Sequence, residues 1–500
     1  MMRENPMTGR RLYLVTFAMM LSLFLASIEV TVVATAMPTI VAQLGGLDIY
    51  AWVFSAYMIA STTTLPLFGK LSDIYGRRCI FLLAVTLFLI GSILCAFAQT
   101  MLQLVLFRAI QGLGAGGIMP LAFTIIGDIF SFEQRAKMQG LFSGVWGVSS
   151  LIGPLLGGLL VERVSWHWIF YLNVPFGLIA IALMLAAWRD VTPRTGGRVD
   201  YPGALLLSGG IVALMLALFE LRVGLAANPL TIGAALLSAL ALFAALVPIE
   251  RRAVNPILPL ALFRERLFIA AISHGFLAGF ALFGSANFIP LFAQAVLGTS
   301  ATIAGAMLTP QVLSWTLASI LGTRLLLRVN YRALALSGMG ALAIGMGLLT
   351  QVSPTTPPWF LGFSTMLSGI GMGASIPIFL IAVQSTVPRH ALGTATATVQ
   401  FARSIGGAIG ASVMGVVLAL QFTAGLAAAQ LDPHRISINA LLESNANASA
   451  TLTAAMRGAL SGAVQAVFVV AFIVTLGAWI AVALAPRVSI GARQAPSPAP

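Results

Sequence analysis

The feature that most constrains this chain is a succession of apolar runs, each long enough to cross a lipid bilayer. A bilayer core about 30 Å thick requires about 20 apolar residues per helical span. Because lipid offers no partner to a backbone amide, each run must close its own hydrogen bonds as an α-helix. Fourteen such runs are predicted, with approximate limits 13–38, 50–68, 79–98, 102–126, 138–161, 167–188, 202–220, 229–248, 268–292, 302–326, 333–350, 358–383, 392–420 and 459–485.

Composition and charge agree with a membrane protein. Of the 500 residues, 59% are hydrophobic and 8% are charged, and no water-soluble domain of this length could bury so much apolar surface. The net charge of +13 does not indicate nucleic-acid binding, because most Lys and Arg fall in the loops and tails of one side. By the positive-inside rule that side is the cytoplasm. We therefore predict a multi-pass protein of the cell (inner or plasma) membrane with both termini in the cytoplasm.

The chain lacks the residue patterns that several other classes of protein require. Cys79 and Cys95 lie on one predicted helix, too far apart to bridge, and no metal-ligand spacing surrounds them. No HExxH, no GxSxG and no paired aspartates indicate an enzyme. The first run carries Glu29 and ends without a small-residue cleavage pattern, so we expect it to be retained. The sequence therefore predicts no catalytic residues, no metal and no cofactor.

Two glycine patterns recur at a constant offset along the chain. GKLSDIYGRR begins at Gly69 and GTRLLLRVNYR begins at Gly322, which is 253 residues later, and the first and fifth residues of GPLLGG at 153–158 recur at the same offset in GGAIG at 406–410. A duplicated six-span unit explains both, as in many secondary transporters. The alternative is coincidence, since small residues are common in membrane helices.

The duplication predicts how the chain is organised. The two runs between the repeats, flanked by polar segments, form an insertion between two six-helix bundles. The predicted units are an N-terminal bundle at 1–190, a linker with two inserted transmembrane helices at 191–266, a C-terminal bundle at 267–486 with an outer loop at 421–460, and a disordered cytoplasmic tail at 487–500.

The connection GKLSDIYGRR, between the second and third runs, combines turn glycines with charge. Gly69 and Gly76 permit tight turns, and Asp73 can cap a helix or pair with a guanidinium. Arg77 and Arg78 can anchor at the inner headgroups. A charged inward hairpin is the simpler interpretation.

Three charged residues fall well inside predicted spans, namely Glu29, Arg108 and Arg403. A charge in hydrocarbon costs several kcal/mol, so such residues are kept where they have a partner or face a water-filled cavity. Glu29 is the one acidic residue far from the end of a span, and it could carry a proton. The alternative is a fixed ion pair between Glu29 and Arg108, and for Arg108 a structural bond to backbone carbonyls.

Two further strings contain helix-packing and interface residues. GVWGVSSLIGPLLGGLL, in the fifth run, can kink at Pro154 and admit a close neighbour at its glycines. SWHWIFYLNVPFG, at 165–177, begins with aromatic residues typical of a membrane interface and contains Asn173. Asn173 either faces a pathway or bonds a backbone carbonyl.

Together these strings resemble the major facilitator superfamily, and in particular its fourteen-helix drug:proton antiporter branch. The similar segments are the loop at 69–78, the Arg-x-x-Gln-Gly of 108–112, the Gly-Pro-x-x-Gly-Gly of 153–158, the Trp-x-Trp-x-Phe-x-x-Asn-x-Pro of 166–175, and the first-span motif at 29–38, in which glutamate replaces aspartate.

The resemblance implies a fold and a set of roles. The fold is an all-α membrane protein of the major facilitator type, with two six-helix bundles and two extra helices between them. Glu29 and Arg108 couple transport to protons. Asp73, Arg77 or Arg78, and Asp128 form a conformational latch, with Gly69 and Gly76 in its loop. The antiporter motif, a hinge and a seal against ion leak, comprises Gly147, Gly153, Pro154, Gly157 and Gly158.

Polar and aromatic residues within the predicted spans are candidates for substrate binding, although isolated ones more often bond to neighbouring helices. The candidates are Glu29, Gln111, Trp146, Asn173, His274, Asn287, Gln294, Gln400 and Arg403. Two embedded arginines against one glutamate favour a neutral, anionic or singly charged amphiphile over a multiply cationic drug.

We therefore expect a proton-coupled exporter that moves drugs or other amphipathic hydrophobic solutes by alternating access. The alternative is export of lipids or glycolipids to the outer leaflet or periplasm, in which the loop 421–460 guides the solute. Expected partners are the solute, protons and membrane lipid, with the proton gradient as energy source. We expect a monomer, with an accessory periplasmic partner as an option. A channel or a non-transporting sensor would not need duplicated halves.

Overall fold

The computed structural model describes residues 9–46, 49–188, 199–223, 229–258, 260–431 and 450–487. These residues form α-helices joined by short connections, and no strand occurs among them. The predicted all-α architecture is thereby confirmed. Most of the predicted tail, from 488 onward, and the middle of the predicted outer loop, 432–449, lie outside the described residues.

The helices follow the predicted runs and extend beyond several of them at their ends. The first half contains α1 Gly9–Leu44, α2 Trp52–Tyr75, α3 Arg77–Ala96, α4 Met101–Ile129, α5 Phe132–Arg163, α6 Trp168–Tyr171 and α7 Asn173–Ala187. The inserted pair is α8 Tyr201–Val223 and α9 Pro229–Arg252. The second half contains α10 Arg266–Ser285, α11 Phe288–Ala295, α12 Ala301–Ala306, α13 Thr309–Leu325, α14 Tyr331–Leu349, α15 Pro358–Thr386, α16 Leu392–Ala428 and α17 Ala450–Ala483.

Three predicted spans are interrupted, between α6 and α7, between α10 and α11, and between α12 and α13. A proline follows each interruption within a few residues. Because proline has no amide hydrogen, it cannot donate the helical hydrogen bond to the carbonyl four residues earlier. The three prolines are Pro175, Pro290 and Pro310. Pro154, by contrast, lies inside the continuous helix α5, so the predicted kink there does not end the helix.

Thirteen helical segments of the described chain are long and apolar enough to cross a membrane. The remaining predicted span is α2, a helix of 24 residues. Its run of one serine and three threonines at 61–64 lowers its hydropathy. α2 packs along α4 inside the first bundle, where its hydroxyls bond to backbone carbonyls, as Thr64 does to Leu113 O at 3.0 Å. We therefore count it as the fourteenth span.

The repeated glycines make the same kind of helix contact in both halves. Those of α5 lie against α1, where a Cβ at Gly157 would be 2.1 Å from Thr35 Oγ1. Those of α16 lie against α10, where a Cβ at Gly410 would be 2.3 Å from Phe280 O. The 253-residue offset in sequence thus corresponds to matching pairs of closely packed helices.

The inserted pair α8–α9 packs at the seam between the halves rather than apart from them. The ring of Phe219 lies 4.4 Å from that of Trp52 in α2. Ser412 of α16 donates a hydrogen bond to Leu218 O at 3.0 Å. α8 therefore contacts one helix from each half.

Candidate functional site

Glu29 lies in the middle of α1 and is 1% exposed. Its Oε1 is 2.5 Å from Arg108 Nη1, which forms a salt bridge between α1 and α4. Its Oε2 accepts a hydrogen bond of 2.5 Å from Asn173 Nδ2 at the start of α7. Both carboxylate oxygens therefore have a donor, and the carboxylate joins three helices of the first half.

Arg108 is held on several sides at once. Its Nη1 donates to Gln111 Oε1 at 2.7 Å, and its Nε donates to Val53 O at 3.3 Å. Its guanidinium carbon lies 4.1 Å from the centroid of the Tyr57 ring. The two alternatives considered for Arg108, an ion pair and a structural bond to a backbone carbonyl, are both present in this structure. We call Glu29, Arg108, Gln111 and Asn173 the Glu29 cluster.

Asn173 bonds to side chains rather than to the backbone carbonyl considered from sequence, and its facing a pathway stays a prediction. Besides Glu29, its Nδ2 donates to Ser92 Oγ of α3 at 2.9 Å. Ser92 in turn donates to Phe170 O of α6 at 2.9 Å. The break between α6 and α7 places Asn173 at the head of a helix, from which its amide reaches the carboxylate. Sequence reasoning missed Ser92, because a serine in an apolar run carries no distinctive signal.

A cavity of about 260 Å³ lies between the two halves. Helices α4 and α5 of the first half and α10, α13, α15 and α16 of the second half contribute to its wall. Its lining residues are Met119, Phe123, Gln139, Phe142, Ser143, Trp146, Gly147, Ser150, Leu282, Phe283, Ala286, Gln311, Val312, Trp315, Thr316, Ile376, Pro377 and Arg403.

Two of the nine substrate-binding candidates, Trp146 and Arg403, line this cavity. Glu29, Gln111 and Asn173 do not, because they are buried against one another within the first half. The structure therefore separates the Glu29 cluster from the cavity. The cavity residues missed from sequence, such as Gln139 and Gln311, are brought together by the meeting of the halves and share no motif.

The four remaining candidates lie off the cavity wall. His274 is buried, and its ring stacks on Phe379 with centroids 4.7 Å apart. Gln400 is buried one turn from Arg403, and its Nε2 lies 3.3 Å from Met119 Sδ. Asn287 is exposed in the break before α11, and Gln294 is half-buried in α11. Their role as substrate ligands stays a prediction.

The α2–α3 connection forms a buried charge cluster. Arg77 Nη1 lies 2.5 Å from Asp73 Oδ1, and Arg77 Nε lies 2.9 Å from Asp128 Oδ2 at the end of α4. Asp73 also accepts hydrogen bonds across the seam, from Gly393 N at 3.0 Å and from Thr394 N at 2.8 Å, at the start of α16. We call Asp73, Arg77 and Asp128 the latch cluster. It links the first half to the amino end of a helix of the second half.

The other residues of this loop have separate structural roles. Of the two arginines considered for the cluster, Arg77 joins it, and Arg78 donates to Leu185 O of α7 at 2.7 Å. Gly76 has a φ of 95°, a conformation that L side chains rarely adopt. A Cβ at Gly69 would lie 2.4 Å from Ala397 Cβ, so glycine there lets α2 approach α16.

A second set of hydrogen bonds crosses the seam near the latch cluster. Arg135 Nη1 donates to Gln384 O at 3.3 Å, and Gln384 Nε2 donates to Phe123 O at 3.1 Å. Deeper in the membrane, Ser143 Oγ of α5 lies 2.7 Å from Ser319 Oγ of α13. These contacts join residues far apart in sequence, so no sequence motif predicted them.

The predicted antiporter motif lies along α5, between the two halves. A Cβ at Gly147 would lie 2.7 Å from Thr316 Oγ1 of α13. A Cβ at Gly153 would lie 1.9 Å from Thr31 Oγ1 of α1. Gly158 has no such neighbour within 4 Å, and Pro154 is exposed on α5. Three of the four glycines therefore permit close helix contacts, and the fourth does not need to be glycine for packing.

Two helical bundles that meet around a cavity, built from helices long and apolar enough to cross a membrane, are typical of secondary transporters. The sequence profile of the family described as Major Facilitator Superfamily matches residues 19–411 of the chain. The chain belongs to the major facilitator superfamily, whose members are transporters rather than enzymes, as the motifs predicted.

Relatives and solved structures agree with this assignment. Multidrug resistance protein 3 of Bacillus subtilis (strain 168) is 40% identical over 409 residues, which cover 82% of this chain and 80% of that protein. Multidrug transporter protein MdtP of the same organism is 35% identical over 418 residues, covering 83% and 77%. The human organic anion transporter MFSD10 (TETRAN) has a TM-score of 0.61 at 16% identity, covering 93% of this chain and 99% of that one. This last likeness concerns the fold alone.

Proposed function

We propose that this protein is a proton-coupled exporter of drug-like amphipathic solutes, residing in the cell membrane with both termini in the cytoplasm. The observation that carries the proposal is the fully buried carboxylate of Glu29, held by Arg108 and Asn173 inside one half of a transporter. The names of the two Bacillus relatives, a multidrug resistance protein and a multidrug transporter, support the transport of drugs.

The proton step follows from the contacts of Glu29. Protonation removes the negative charge that faces Arg108, so the salt bridge between α1 and α4 becomes a weaker neutral contact. Arg108 keeps its bonds to Gln111 and Val53, which limits the cost of leaving it without a counter-ion. The balance between arrangements of α1, α4 and α7 therefore changes with the proton.

The seam between the halves supports alternating access. Hydrogen bonds between the halves lie at the α2–α3 end, as at Asp73, and within α5, as at Ser143. In the proposed cycle these bonds close the cytoplasmic side while the cavity is reached from the other side. They break when the cavity opens to the cytoplasm.

The membrane potential and pH gradient supply the driving force. One charge that crosses about 100 mV contributes about 2.3 kcal/mol. Glu29 lies in the first half and the cavity lies at the seam, so proton and solute would be coupled through helix positions rather than by competition for one site. Helices α4 and α5 link the two regions, since both carry cavity-lining residues.

The test is Glu29→Gln in inside-out vesicles under an imposed pH gradient. We expect the variant to lose pH-driven accumulation of fluorescent amphiphiles, because the amide cannot bind and release a proton, while expression and folding are retained. A panel of cationic, neutral and anionic dyes together with a labelled lipid separates drug export from lipid export.

Ser22→Ala is the matched control on the same helix, because the Ser22 hydroxyl bonds, among the described residues, only to Ala18 O of α1, at 2.9 Å. This control should transport as the wild type does. Undiminished pH-driven export by Glu29→Gln would reject Glu29 as the proton carrier. An ion current without saturable solute exchange would reject the exporter altogether.

A further inference from the structure

The charge of the cavity between the halves comes from one residue, Arg403 of α16. Arg403 belongs to the lining, as does Met119, which its Nη2 contacts, and none of the other described lining residues is acidic or basic. Arg403 is half-buried, and part of its exposed surface lines the cavity. A solute in this cavity would therefore meet a net positive wall.

Arg403 differs from the two other arginines embedded in the helical bundles. Arg108 is paired with Glu29, and Arg77 is paired with Asp73 and Asp128. Within the described part of the chain, no carboxylate forms a salt bridge with Arg403. The contact it makes there is with the sulfur of Met119, at 3.7 Å from its Nη2.

A thioether sulfur is a weak acceptor, whereas a guanidinium presents five N–H donors in a planar fork. Buried charges are ordinarily paired, because an uncompensated one is costly in low dielectric. The geometry of Arg403 is therefore that of a binding group without its counter-ion. The fork matches a carboxylate or a related oxyanion, which it can bind through two parallel hydrogen bonds.

The rest of the cavity is suited to a flat apolar body. Trp146 and Trp315 contribute indole rings from opposite halves, and Phe123, Phe142 and Phe283 add phenyl rings. Gln139 and Gln311 offer amides that can bond to either charge. Aromatic walls with a few polar groups are typical of sites for drug-sized ligands.

We infer that the transported solute is an amphipathic monoanion whose oxyanion binds Arg403 while its aromatic or aliphatic body packs against the rings of the cavity. This inference rests on the proposed function, of which it names the substrate class. It distinguishes the solute from the lipophilic cations that an acidic cavity would select.

The test compares three ligands with one ring system, namely pyrenebutanoate, its neutral methyl amide and pyrenebutyl trimethylammonium. Binding to purified, detergent-solubilised protein is followed by quenching of tryptophan fluorescence. We expect the anion to bind best. Arg403→Gln should weaken binding of the anion by about tenfold or more, the effect of losing a charged hydrogen-bonded pair. It should leave binding of the neutral amide within about twofold, and it should not weaken binding of the cation, because it removes a positive charge from the cavity wall.

Two further variants separate charge from structure. Arg403→Lys should retain part of the preference for the anion, because it keeps the charge and loses the fork. Gln311→Ala, at an uncharged position of the same cavity, should affect the three ligands alike. Thermal unfolding and size-exclusion profiles check that each variant is folded.

Equal binding of all three ligands by the wild type would overturn the inference, as would an equal loss for all three in Arg403→Gln. The proposed function fails separately. Selective anion binding without pH-driven transport would reject proton-coupled export and leave the inference standing. pH-driven export of the neutral or cationic ligand without preference for the anion would reject the inference and leave proton-coupled export standing.

Discussion

At the scale of single residues, Glu29 shows how a carboxylate is kept inside a helical bundle. Each of its oxygens has a charged or amide donor at 2.5 Å, and the donors come from different helices. A buried ion pair is weak evidence for stability, because the desolvation of two charges offsets their attraction. Breaking such a pair is nevertheless costly, because the remaining charge stays buried. The pair is therefore suited to a switch that changes with one proton.

A first prediction concerns this pair. Arg108→Gln leaves the carboxylate of Glu29 without its cation, which costs about 3–5 kcal/mol for a buried pair. We expect this variant to unfold at a clearly lower temperature in detergent. The double variant Glu29→Gln with Arg108→Gln should recover much of the loss, because no unpaired charge remains. Arg324→Gln, at an exposed arginine, is the control and should leave the unfolding temperature nearly unchanged.

A double-mutant cycle on the unfolding temperatures gives the interaction between the two sites directly. If the double variant is as unstable as Arg108→Gln alone, the cost comes from lost packing of the arginine, for example on Tyr57, and not from an unpaired carboxylate.

At the scale of secondary-structure elements, α5 has two different contact surfaces along its length. Near Gly147 it lies against α13 of the second half, and near Gly153 it lies against α1 of its own half. The helix therefore connects the seam to the helix that carries Glu29. A movement of one surface relative to the other is the kind of change that couples a proton site to a cavity.

A second prediction tests the close contact with α1. In Gly153→Ala the new methyl group would lie 1.9 Å from Thr31 Oγ1 and 2.9 Å from Thr31 Cβ, so rotation of the threonine does not relieve the overlap and α1 and α5 must shift relative to each other. Overpacking of this kind costs about 1–3 kcal/mol, and it should reduce both the unfolding temperature and transport.

Gly158→Ala on the same helix is the matched control, because no described atom beyond its chain neighbours and the nearby backbone of α5 lies within 4 Å of the added methyl group. It should be neutral or slightly stabilising, since alanine favours a helix over glycine by up to about 1 kcal/mol. Equal effects of the two substitutions would mean that the glycines matter for helix flexibility rather than for the contact with α1.

At the scale of the whole molecule, hydrogen bonds between the halves of the described chain occur at helix ends, as at Asp73, and also within helices, as at Ser143. Asp73 accepts bonds from the first residues of α16, 321 positions away at Thr394. Helix amino ends favour negative charge, because their first amides are unpaired. The latch cluster therefore makes a directed contact that can be released as a unit.

A third prediction uses the seam itself. Ser143 Oγ and Ser319 Oγ are 2.7 Å apart, so cysteines at both positions bring their sulfurs together, and a small approach of the two side chains would allow the S–S bond of about 2.05 Å. We expect oxidation of the double-cysteine variant, made with Cys79 replaced by serine, to crosslink the halves and stop solute transport. Reduction should restore it.

Each single-cysteine variant is the control and should transport under both conditions. Complete crosslinking with transport intact would show that the halves need not separate at α5 and α13, and the alternating-access proposal would fail in this form.

The sequence by itself determined the secondary structure and the class of fold. A membrane span is determined by the length of a local hydrophobic run. The backbone of each span forms its hydrogen bonds within the span, so the fourteen runs form helices with little dependence on one another. Prolines interrupted three of them by removing a local hydrogen bond. The resemblance in short motifs identified the family, because those motifs encode turns and helix packing within a few residues.

Only the tertiary structure decided which side chains meet. It joined Asn173 to both Glu29 and Ser92, selected Arg77 rather than Arg78 for the latch cluster, and placed Arg403 at a cavity away from Glu29. Each of these contacts joins residues of different helices, and the cavity forms where the two halves meet. Their geometry depends on how packed helices are positioned relative to one another, which hydropathy and short motifs do not encode.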